Sequence, residues 1–360
     1  MEPIAFGIVG GGWRAEGFLR VSDELPEHFK VSGVMVRDAG RGDMLERTWG
    51  VPTYRTLDDL FTAAQPLFVL VSVSKGAAPV LLQELADRGV PTLVETPPAP
   101  DLQGLHHLCR LTANGARIQV AEQYAFQPAH AARLAVARSG KLGVVSQVQV
   151  SVIQDYHNIS LIRKLLGVEF ETARITAQRF VSPIMAGPDR QGPPREERIV
   201  EVTQTIAYLD FGDKLGVYDY AADQHRSWIR SPRVLVRGDR GEINTTRVRY
   251  LQDFATPIML DMLRQDAGED GNMEGYHHQG ILLGDEWIYR NPFVPGRLSD
   301  DEIAMATCLA NMADYARGGP SFYSVAEAAQ DHYLGLMMQQ SLVAGESIHT
   351  TAQMWGQTTT

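Results

Sequence analysis

The first third of the chain alternates short apolar runs with longer segments of helical periodicity. An almost continuous apolar run extends from Leu67 to Val73, which is typical of a parallel strand covered on both faces. Similar strands are predicted at 4–9, 31–36, 51–54, 91–95 and 117–121, and helices at 13–19, 39–49, 57–64, 79–88 and 101–113. This alternation predicts a doubly wound parallel sheet with right-handed crossovers.

From about Gln123 the pattern changes, because strand-like runs now follow one another without intervening helices. Turn-like sequences such as Asp210–Asp213 and Gly238–Gly241 separate some of these runs, which predicts hairpins. Residues 266–275 are rich in Gly, Asp and Glu, and we expect a surface loop there that continues through Tyr276, His277 and His278. The sequence therefore predicts a first α/β domain at residues 1–122. It also predicts an α+β domain at residues 123–360, with an open-faced, mostly antiparallel sheet.

Charge and cysteine content exclude several classes of partner. The net charge of −10 argues against binding to nucleic acid, because phosphate contacts need clustered Lys and Arg. Cys109 and Cys308 are far apart and lack ligand-like spacing, so we predict neither a disulfide framework nor a metal site. No run reaches transmembrane length, and no basic and apolar leader begins the chain, so we expect a cytoplasmic protein with no membrane partner.

The glycine-rich turn after the first strand is the strongest sign of chemistry. Gly10, Gly12 and Ala15 occupy the positions of a G-x-G-x-x-G/A dinucleotide fingerprint. In this fingerprint the first glycine permits the tight turn, the second lets the pyrophosphate approach the backbone, and the small third residue lets the helix pack closely. Trp13 and Arg14 begin the following helix, whose unpaired N–H groups would face the phosphates.

The ends of the other parallel strands complete a predicted cofactor site, because ligands of such sheets bind at the carboxyl ends of the strands. The residues at these ends are Arg37, Asp38, Ser72, Ser74, Glu95, Thr96, Pro97 and Gln123. An acidic residue after the second strand favours NAD, whereas an arginine accommodates the 2′-phosphate of NADP. Arg37 precedes Asp38, so the sequence favours NADP over NAD, and an exposed arginine without a ligand is the alternative.

Several short motifs occur in a characteristic order along most of the chain. They are Gly10–Ala15, Arg88–Pro97, Gly140–Val145, His157 with Leu165 and Gly167, Arg237–Gly241, and Tyr323–Ala328. Through them the chain resembles the glucose–fructose oxidoreductase / inositol dehydrogenase / MocA (Gfo/Idh/MocA) family. The resemblance implies a nicotinamide-binding Rossmann domain, a C-terminal sheet that serves both substrate binding and oligomer contacts, and a sugar, polyol or related substrate.

The departures from the family pattern fall on its acid–base residues. Where the family carries Glu-Lys-Pro, this chain has Thr96 in place of the lysine, and threonine supplies neither a cation nor an ordinary base. The family pattern Asp-x-Gly-x-His-x-x-Asp corresponds here to Ile153, Asp155, His157 and Ser160. Only the histidine of that pattern remains.

His157 is the predicted proton carrier, because histidine side chains titrate near neutral pH. Tyr156 is a candidate relay partner, and Asp155 is a candidate for orienting the imidazole. The structural alternative is that Asp155 or Asn158 caps the helix while His157 is an ordinary packed histidine.

Three functions remain open from the sequence. The first is an NAD(P)-dependent oxidoreductase that acts on a sugar-like hydroxyl or keto group. The second is a lyase or glycoside hydrolase that recycles a bound nicotinamide, and the third is a non-catalytic nucleotide sensor. We also expect a homodimer or homotetramer, because an open-faced sheet needs a cover on its exposed side.

Overall fold

The computed structural model describes residues 2–189, 191–268 and 275–356. Within this part the chain forms two compact units. The first contains residues 2–128, 265–268, 275–280 and 290–329, and the second contains most of the remaining chain. The domain boundary between residues 122 and 123 stays a prediction.

A parallel sheet forms the centre of the first unit. Its described strands are β1 (Ile4–Val9), β2 (Phe29–Met35), β3 (Thr53–Tyr54), β4 (Phe68–Val71), β5 (Thr92–Val94) and β6 (Ile118–Val120). They lie in the order β3-β2-β1-β4-β5-β6, and every pair is parallel. The helices between them are α1 (Trp13–Glu24), α2 (Ala39–Trp49), α3 (Leu57–Ala63), α4 (Ala78–Asp87) and α5 (Leu102–Ala113). This order confirms the predicted doubly wound α/β fold.

The central strands of this sheet are apolar because helices cover both of their faces. All residues of β4 are buried, and so are the last four residues of β1. The rings of Phe6 and Phe68 stack across this strand pair, with 5.4 Å between their centroids.

Short polar side chains fix the starts of several helices in this unit. Asp38 caps α2 by accepting from the Arg41 N–H at 2.6 Å. Thr56 caps α3 and Asp101 caps α5 in the same way. Because the first N–H groups of a helix have no partner within the helix, these caps favour the observed starting points.

A second, mostly antiparallel sheet follows later in the chain. Its described strands are β7 (Val145–Ser151), β8 (Arg174–Met185), β9 (Ile199–Asp210), β10 (Leu215–Ala221), β11 (Arg233–Gly238), β12 (Gly241–Asn244), β13 (Arg247–Leu251), β14 (Pro257–Ala267), β15 (His277–Leu283), β16 (Glu286–Arg290) and β17 (Ile348–His349). Their order is β16-β15-β14-β13-β12-β11-β7-β10-β9-β8-β17, with a parallel pair between β7 and β10. The later helices are α6 (Pro128–Arg138), α7 (Asp155–Leu166), α8 (Asp300–Ala316) and α9 (Val325–Ala344). The predicted α+β architecture is confirmed.

The predicted loop before the histidine pair is partly wrong. Strand β14 continues to Ala267 and β15 begins at His277, while residues 269–274 lie outside the described part. His278 is 1% exposed, and its Nδ1 lies 2.7 Å from Oδ1 of Asp266. Strand pairing thus gives this histidine a carboxylate partner and allows its burial, so it does not belong to a surface loop.

Helix α6 of the second unit carries a buried basic pair. Both His130 and Arg133 are almost fully buried. The Arg133 Nη1 lies 3.1 Å from the His130 Nδ1, and the Arg133 Nε donates to the carbonyl of Thr245 at 2.8 Å. Burial and the neighbouring Arg133 charge lower the pKa of His130 to about 3, and burial lowers the pKa of Arg133 to about 10. His130 is therefore neutral in the folded protein at neutral pH.

Candidate active site

The glycine turn lies where the order of the parallel sheet changes direction, between β1 and β4. Gly10 has a φ of +117°, and a Cβ atom built there would lie 2.0 Å from the carbonyl oxygen of Ser72. Gly12 precedes α1 with extended backbone and no side-chain cap, and a Cβ built there meets nothing within 4 Å. Gly10 is thus required by backbone conformation and close packing, whereas Gly12 faces open space.

This turn fits the phosphates of a dinucleotide. The first N–H groups of α1 have no partners within the helix, and the positive end of the helix dipole lies at the same point. The open space around Gly12 leaves room for a pyrophosphate to approach the backbone. Trp13, the first residue of α1, is 69% exposed.

Two arginines, Arg37 after β2 and Arg41 in α2, follow the second strand. Arg37 and Asp38 are exposed, but one carboxylate oxygen of Asp38 already caps α2. Arg41, which the sequence analysis missed, donates from Nε to the carbonyl oxygen of Gly11 at 2.5 Å. It also pairs with Glu16. Charged side chains are common in the first turn of a helix. The spacing between Arg37 and Arg41 is therefore the only sequence signal that could have identified Arg41 as a site residue.

The ends of β4 and β5 carry the next group of predicted cofactor residues. Ser72 is buried and its N–H donates to the carbonyl of Val9 at 2.8 Å, whereas the Ser74 side chain is exposed. Thr96 and Pro97 follow β5 and are half-buried. These residues lie at the carboxyl ends of adjacent strands, as the sequence predicted.

Arg14 and Glu95 form an ion pair within the first unit. The Arg14 Nε lies 2.8 Å from Oε1 of Glu95, and its Nη1 lies 3.1 Å from Oδ2 of Asp301 in α8. The Gln123 Nε2 donates to the other oxygen of Asp301 at 3.3 Å. Burial would lower the pKa of Arg14, but the two carboxylates raise it above its ordinary value. The arginine therefore joins α1, the end of β5 and α8.

The polar cluster predicted from the sequence lies at the start of α7 in the second unit. The helix begins at Asp155, and Gln154 precedes it without a side-chain cap. His157 is half-buried, and its ring centroid lies 4.3 Å from that of Tyr156. Tyr156 also meets His332 of α9 edge-on at 5.5 Å. The structure thus brings Tyr156 and His157 into contact.

Asp155 and Asn158 have roles that differ from the simple cap. Asp155 has a φ of +48°, a conformation that costs energy for a non-glycine residue and clusters at functional sites. Asn158 is fully buried, accepts from the Ile153 N–H at 3.0 Å and donates to the Val150 carbonyl at 3.3 Å. Asn158 therefore ties the end of β7 to the helix.

Two tyrosines of β10 join this cluster, and the sequence analysis missed them. The Asp155 N–H donates to the hydroxyl oxygen of Tyr218 at 3.0 Å, and the Tyr220 hydroxyl donates to Oε1 of Gln154 at 3.4 Å. Burial raises the pKa of both phenols, so they stay protonated at neutral pH. Their spacing of two residues places them on one face of a strand, which is the signal that could have identified them.

Other kinds of site find no support in the part of the chain that the structure describes. There, no group of three or more His, Cys, Asp or Glu side chains is arranged to hold a metal ion. Burial raises the pKa of Cys109 to about 12 and that of Cys308 well above its ordinary value, so neither thiol is an activated nucleophile. No described helix combines the length and apolarity needed to cross a membrane.

Comparison with solved structures finds several proteins of similar fold. The chain resembles scyllo-inositol dehydrogenase from Lactobacillus casei, with 15% identity, a TM-score of 0.64, and coverage of 97% of this chain and 98% of that one. A putative NADPH-dependent oxidoreductase from Desulfitobacterium hafniense has 14% identity, a TM-score of 0.65, and coverage of 97% and 98%. Levoglucosan dehydrogenase in complex with NADH and levoglucosan has 13% identity, a TM-score of 0.69, and coverage of 97% and 99%.

Sequence comparison assigns the first unit more directly. No curated protein matches the chain significantly. A family model described as the oxidoreductase family with an NAD-binding Rossmann fold, GFO_IDH_MocA, matches residues 4–122. These are the residues that form the parallel sheet and the glycine turn. Residues 4–122 thus match the NAD-binding Rossmann domain of the Gfo/Idh/MocA oxidoreductase family.

Proposed function

We propose that the protein is an NAD(P)-dependent oxidoreductase that acts on a hydroxyl or keto group of a sugar, polyol or related compound. The observation that carries this proposal is the open turn at Gly12 in front of α1, within a sequence of the NAD-binding oxidoreductase family. Similar folds in scyllo-inositol dehydrogenase and levoglucosan dehydrogenase support the substrate class.

The proposed chemistry needs a site for the cofactor and a carrier for the proton. Gly10 and Gly12 would hold the pyrophosphate, with the α1 N-terminus facing its charge. When bound, the nicotinamide supplies the acceptor or donor of the hydride. Thr96 replaces the family lysine, so the proton of the reacting hydroxyl needs another carrier. His157 would take that proton at a ring nitrogen, Tyr156 would pack against the imidazole, and Asp155 would fix the start of its helix.

Replacing His157 with alanine should lower kcat by about 100-fold or more, the usual contribution of a positioned acid–base group. Steady-state kinetics with the best substrate from a panel of sugars and polyols measures this loss. His349→Ala is the matched control, because His349 is exposed in β17 of the same unit. An unchanged kcat in His157→Ala would exclude the role of proton carrier.

Product analysis separates this function from the recycled-nicotinamide lyase or hydrolase. Net formation of reduced cofactor, in step with an oxidised product, supports the oxidoreductase. Cleavage of the substrate without a net change in cofactor redox state would replace it with the lyase or hydrolase. Wild-type protein that binds a nucleotide but converts no member of the panel would favour the sensor.

We further propose that NADP is the preferred cofactor. One oxygen of Asp38 caps α2, so Asp38 is less available to bind the ribose hydroxyls. Arg37 is exposed beside it, and Arg41, which also pairs with Glu16, donates to the Gly11 carbonyl of the glycine turn. Guanidinium groups suit the 2′-phosphate because they donate several hydrogen bonds and stay charged.

Arg37→Ala should weaken NADP+ binding by about 10-fold or more, which corresponds to the loss of a hydrogen bond to a charged group. Binding of NAD+ should hardly change. Calorimetric titration of both cofactors measures the difference, and Arg47→Ala on the exposed surface of α2 serves as the control. Tighter binding of NAD+ than of NADP+ by the wild type would contradict the preference.

The protein is also proposed to form a homodimer or homotetramer through its second sheet. Phe180 and Tyr208 are more than half exposed on β8 and β9, which leaves apolar surface for a second copy to cover. A cytoplasmic location remains part of the proposal.

A further inference from the structure

Asp223 stands out among the carboxylates of the second unit. It lies in a short 3-10 turn, Ala222–His225, directly after β10. Both of its carboxylate oxygens are buried, and no hydrogen-bond donor of the described residues reaches either one. The Arg230 Nε lies 3.6 Å from Oδ2, which is beyond the usual length of an N–H···O bond.

Hydrogen bonds hold the turn in place, so the position of Asp223 is well defined. The neighbouring Gln224 is buried, and its Nε2 donates to the carbonyl oxygen of Ser151 at 2.7 Å and to the carbonyl of Ser231 at 3.1 Å. These bonds anchor the turn to the end of β7. Rigid support of this kind is what a binding residue needs.

The surroundings of Asp223 belong to the proposed site. Burial raises the pKa of Tyr220, and the negative charges of Asp223 and Asp155 raise it further. The turn with Asp223 directly follows β10, the strand that carries Tyr220, and the Tyr220 hydroxyl contacts Gln154 just before the helix that carries His157. At the position of the family's first aspartate this chain has Ile153, which is buried.

A carboxylate whose two oxygens are buried without hydrogen-bond donors is costly, and the ion-pair contact with Arg230 at 3.6 Å offsets only part of that cost. Such groups require a specific explanation. A ligand with two adjacent hydroxyl groups would supply one donor to each oxygen, whereas an anionic ligand would be repelled.

We propose that Asp223 determines substrate specificity by accepting hydrogen bonds from two neighbouring hydroxyl groups of an uncharged polyhydroxylated substrate. This proposal rests on the proposed function and adds a residue and a substrate feature to it. Asp223 orients the substrate, and His157 carries out the proton transfer.

The first test needs no substrate. Asp223→Asn keeps the shape of the side chain and removes its charge, so the melting temperature of the free protein should rise by about 2–4 °C, as expected when a modest energetic cost is relieved. Asp213→Asn is the control, because Asp213 is exposed in the turn after β9, and it should not change the melting temperature. A fall or no change in Asp223→Asn would show that Asp223 is a satisfied structural group, and would overturn the proposal.

The second test uses the best neutral polyol, with levoglucosan and scyllo-inositol among the probes. Asp223→Asn should raise KM about 10-fold, the usual effect of losing a charge-assisted hydrogen bond, with a much smaller change in kcat. Removing one of two adjacent hydroxyls from the substrate should cost the wild type a similar factor and the variant little more. An unchanged KM, or equal losses in both proteins, would overturn the proposal.

The two tests also separate this proposal from the proposed function. If the wild type converts no polyol, the proposed function fails, and calorimetric titration of the same two probes in the presence of NADH then decides the role of Asp223. Wild-type binding that Asp223→Asn weakens supports it, and no binding or equal binding overturns it.

Discussion

Gly10→Ala should unfold the first unit locally and abolish cofactor binding. Its φ of +117° is strained for any residue with a side chain, and the new Cβ would lie 2.0 Å from the Ser72 carbonyl oxygen. The Ser72 N–H donates to the Val9 carbonyl at 2.8 Å. The two strands therefore cannot move apart without breaking the pairing of β1 with β4. We expect a loss of about 3–5 kcal/mol in the free energy of unfolding, measured by urea denaturation.

Gly12→Ala is the matched control for this prediction. Gly12 has ordinary backbone angles and open space around its Cβ position, so stability should change by less than about 0.5 kcal/mol. The methyl group would nevertheless occupy the proposed pyrophosphate space and weaken NADP+ binding. Wild-type stability in Gly10→Ala would contradict the close packing, and wild-type affinity in Gly12→Ala would contradict the proposed phosphate position.

His130 should make the stability of the second unit depend on pH. The unfolded chain binds a proton on this histidine below its ordinary pKa of 6.5, whereas the folded protein binds it only near pH 3. The unfolded state therefore holds more protons between these values, and the free energy of unfolding falls as the pH falls. The expected loss is ~3 kcal/mol between about pH 7.5 and 4.5.

His130→Gln tests this linkage, because a glutamine oxygen still accepts from Arg133 but does not titrate. Urea denaturation across the same pH range should give a shallower profile than the wild type, by the amount above. The profile of His349→Gln should match the wild type, since His349 is exposed. Parallel profiles of His130→Gln and the wild type would show that the folded histidine takes up its proton normally.

Local sequence patterns were sufficient for the Rossmann part of the fold. Helix α2 covers the predicted residues 39–49 because a capping aspartate, helical periodicity and a final glycine all lie within a dozen residues. The apolar run of β4 likewise predicts a buried strand without information from distant residues. The carboxyl ends of the strands then located the candidate cofactor residues, because the parallel topology itself brings these ends together.

Features that depend on distant residues were not predictable in this way. Strand β14 has charged and apolar residues on both faces and little alternation, so only its pairing with β13 identifies it. The burial of His278 depends on Asp266 in another strand. Arg14 lies within the fingerprint, yet one of its ionic partners, Asp301, is 287 residues away.

The candidate site in the second unit shows the same division. The segment Asp155–His157 was visible from its polar residues, and the structure brings Tyr156 and His157 into contact. The sequence does not connect Tyr218, Tyr220 and Asp223 with α7, because that relation arises only when β10 pairs with β7. The sequence alone shows that the lysine and aspartate of the family pattern are absent. Asp223, the carboxylate proposed to bind the substrate instead, is recognised only from the fold.

The first unit is completed by a segment near the other end of the chain, and this affects how the protein is made. Oxygen Oε1 of Gln119, in β6, accepts from the N–H groups of Phe322 and Tyr323, which lie 203 and 204 residues later. A ribosome that adds 5–20 residues per second needs roughly 10–40 s to produce that segment. During this interval the nascent Rossmann sheet lacks α8 and the closing contacts of β6, so the apolar side chains that pack against these later residues stay exposed to solvent.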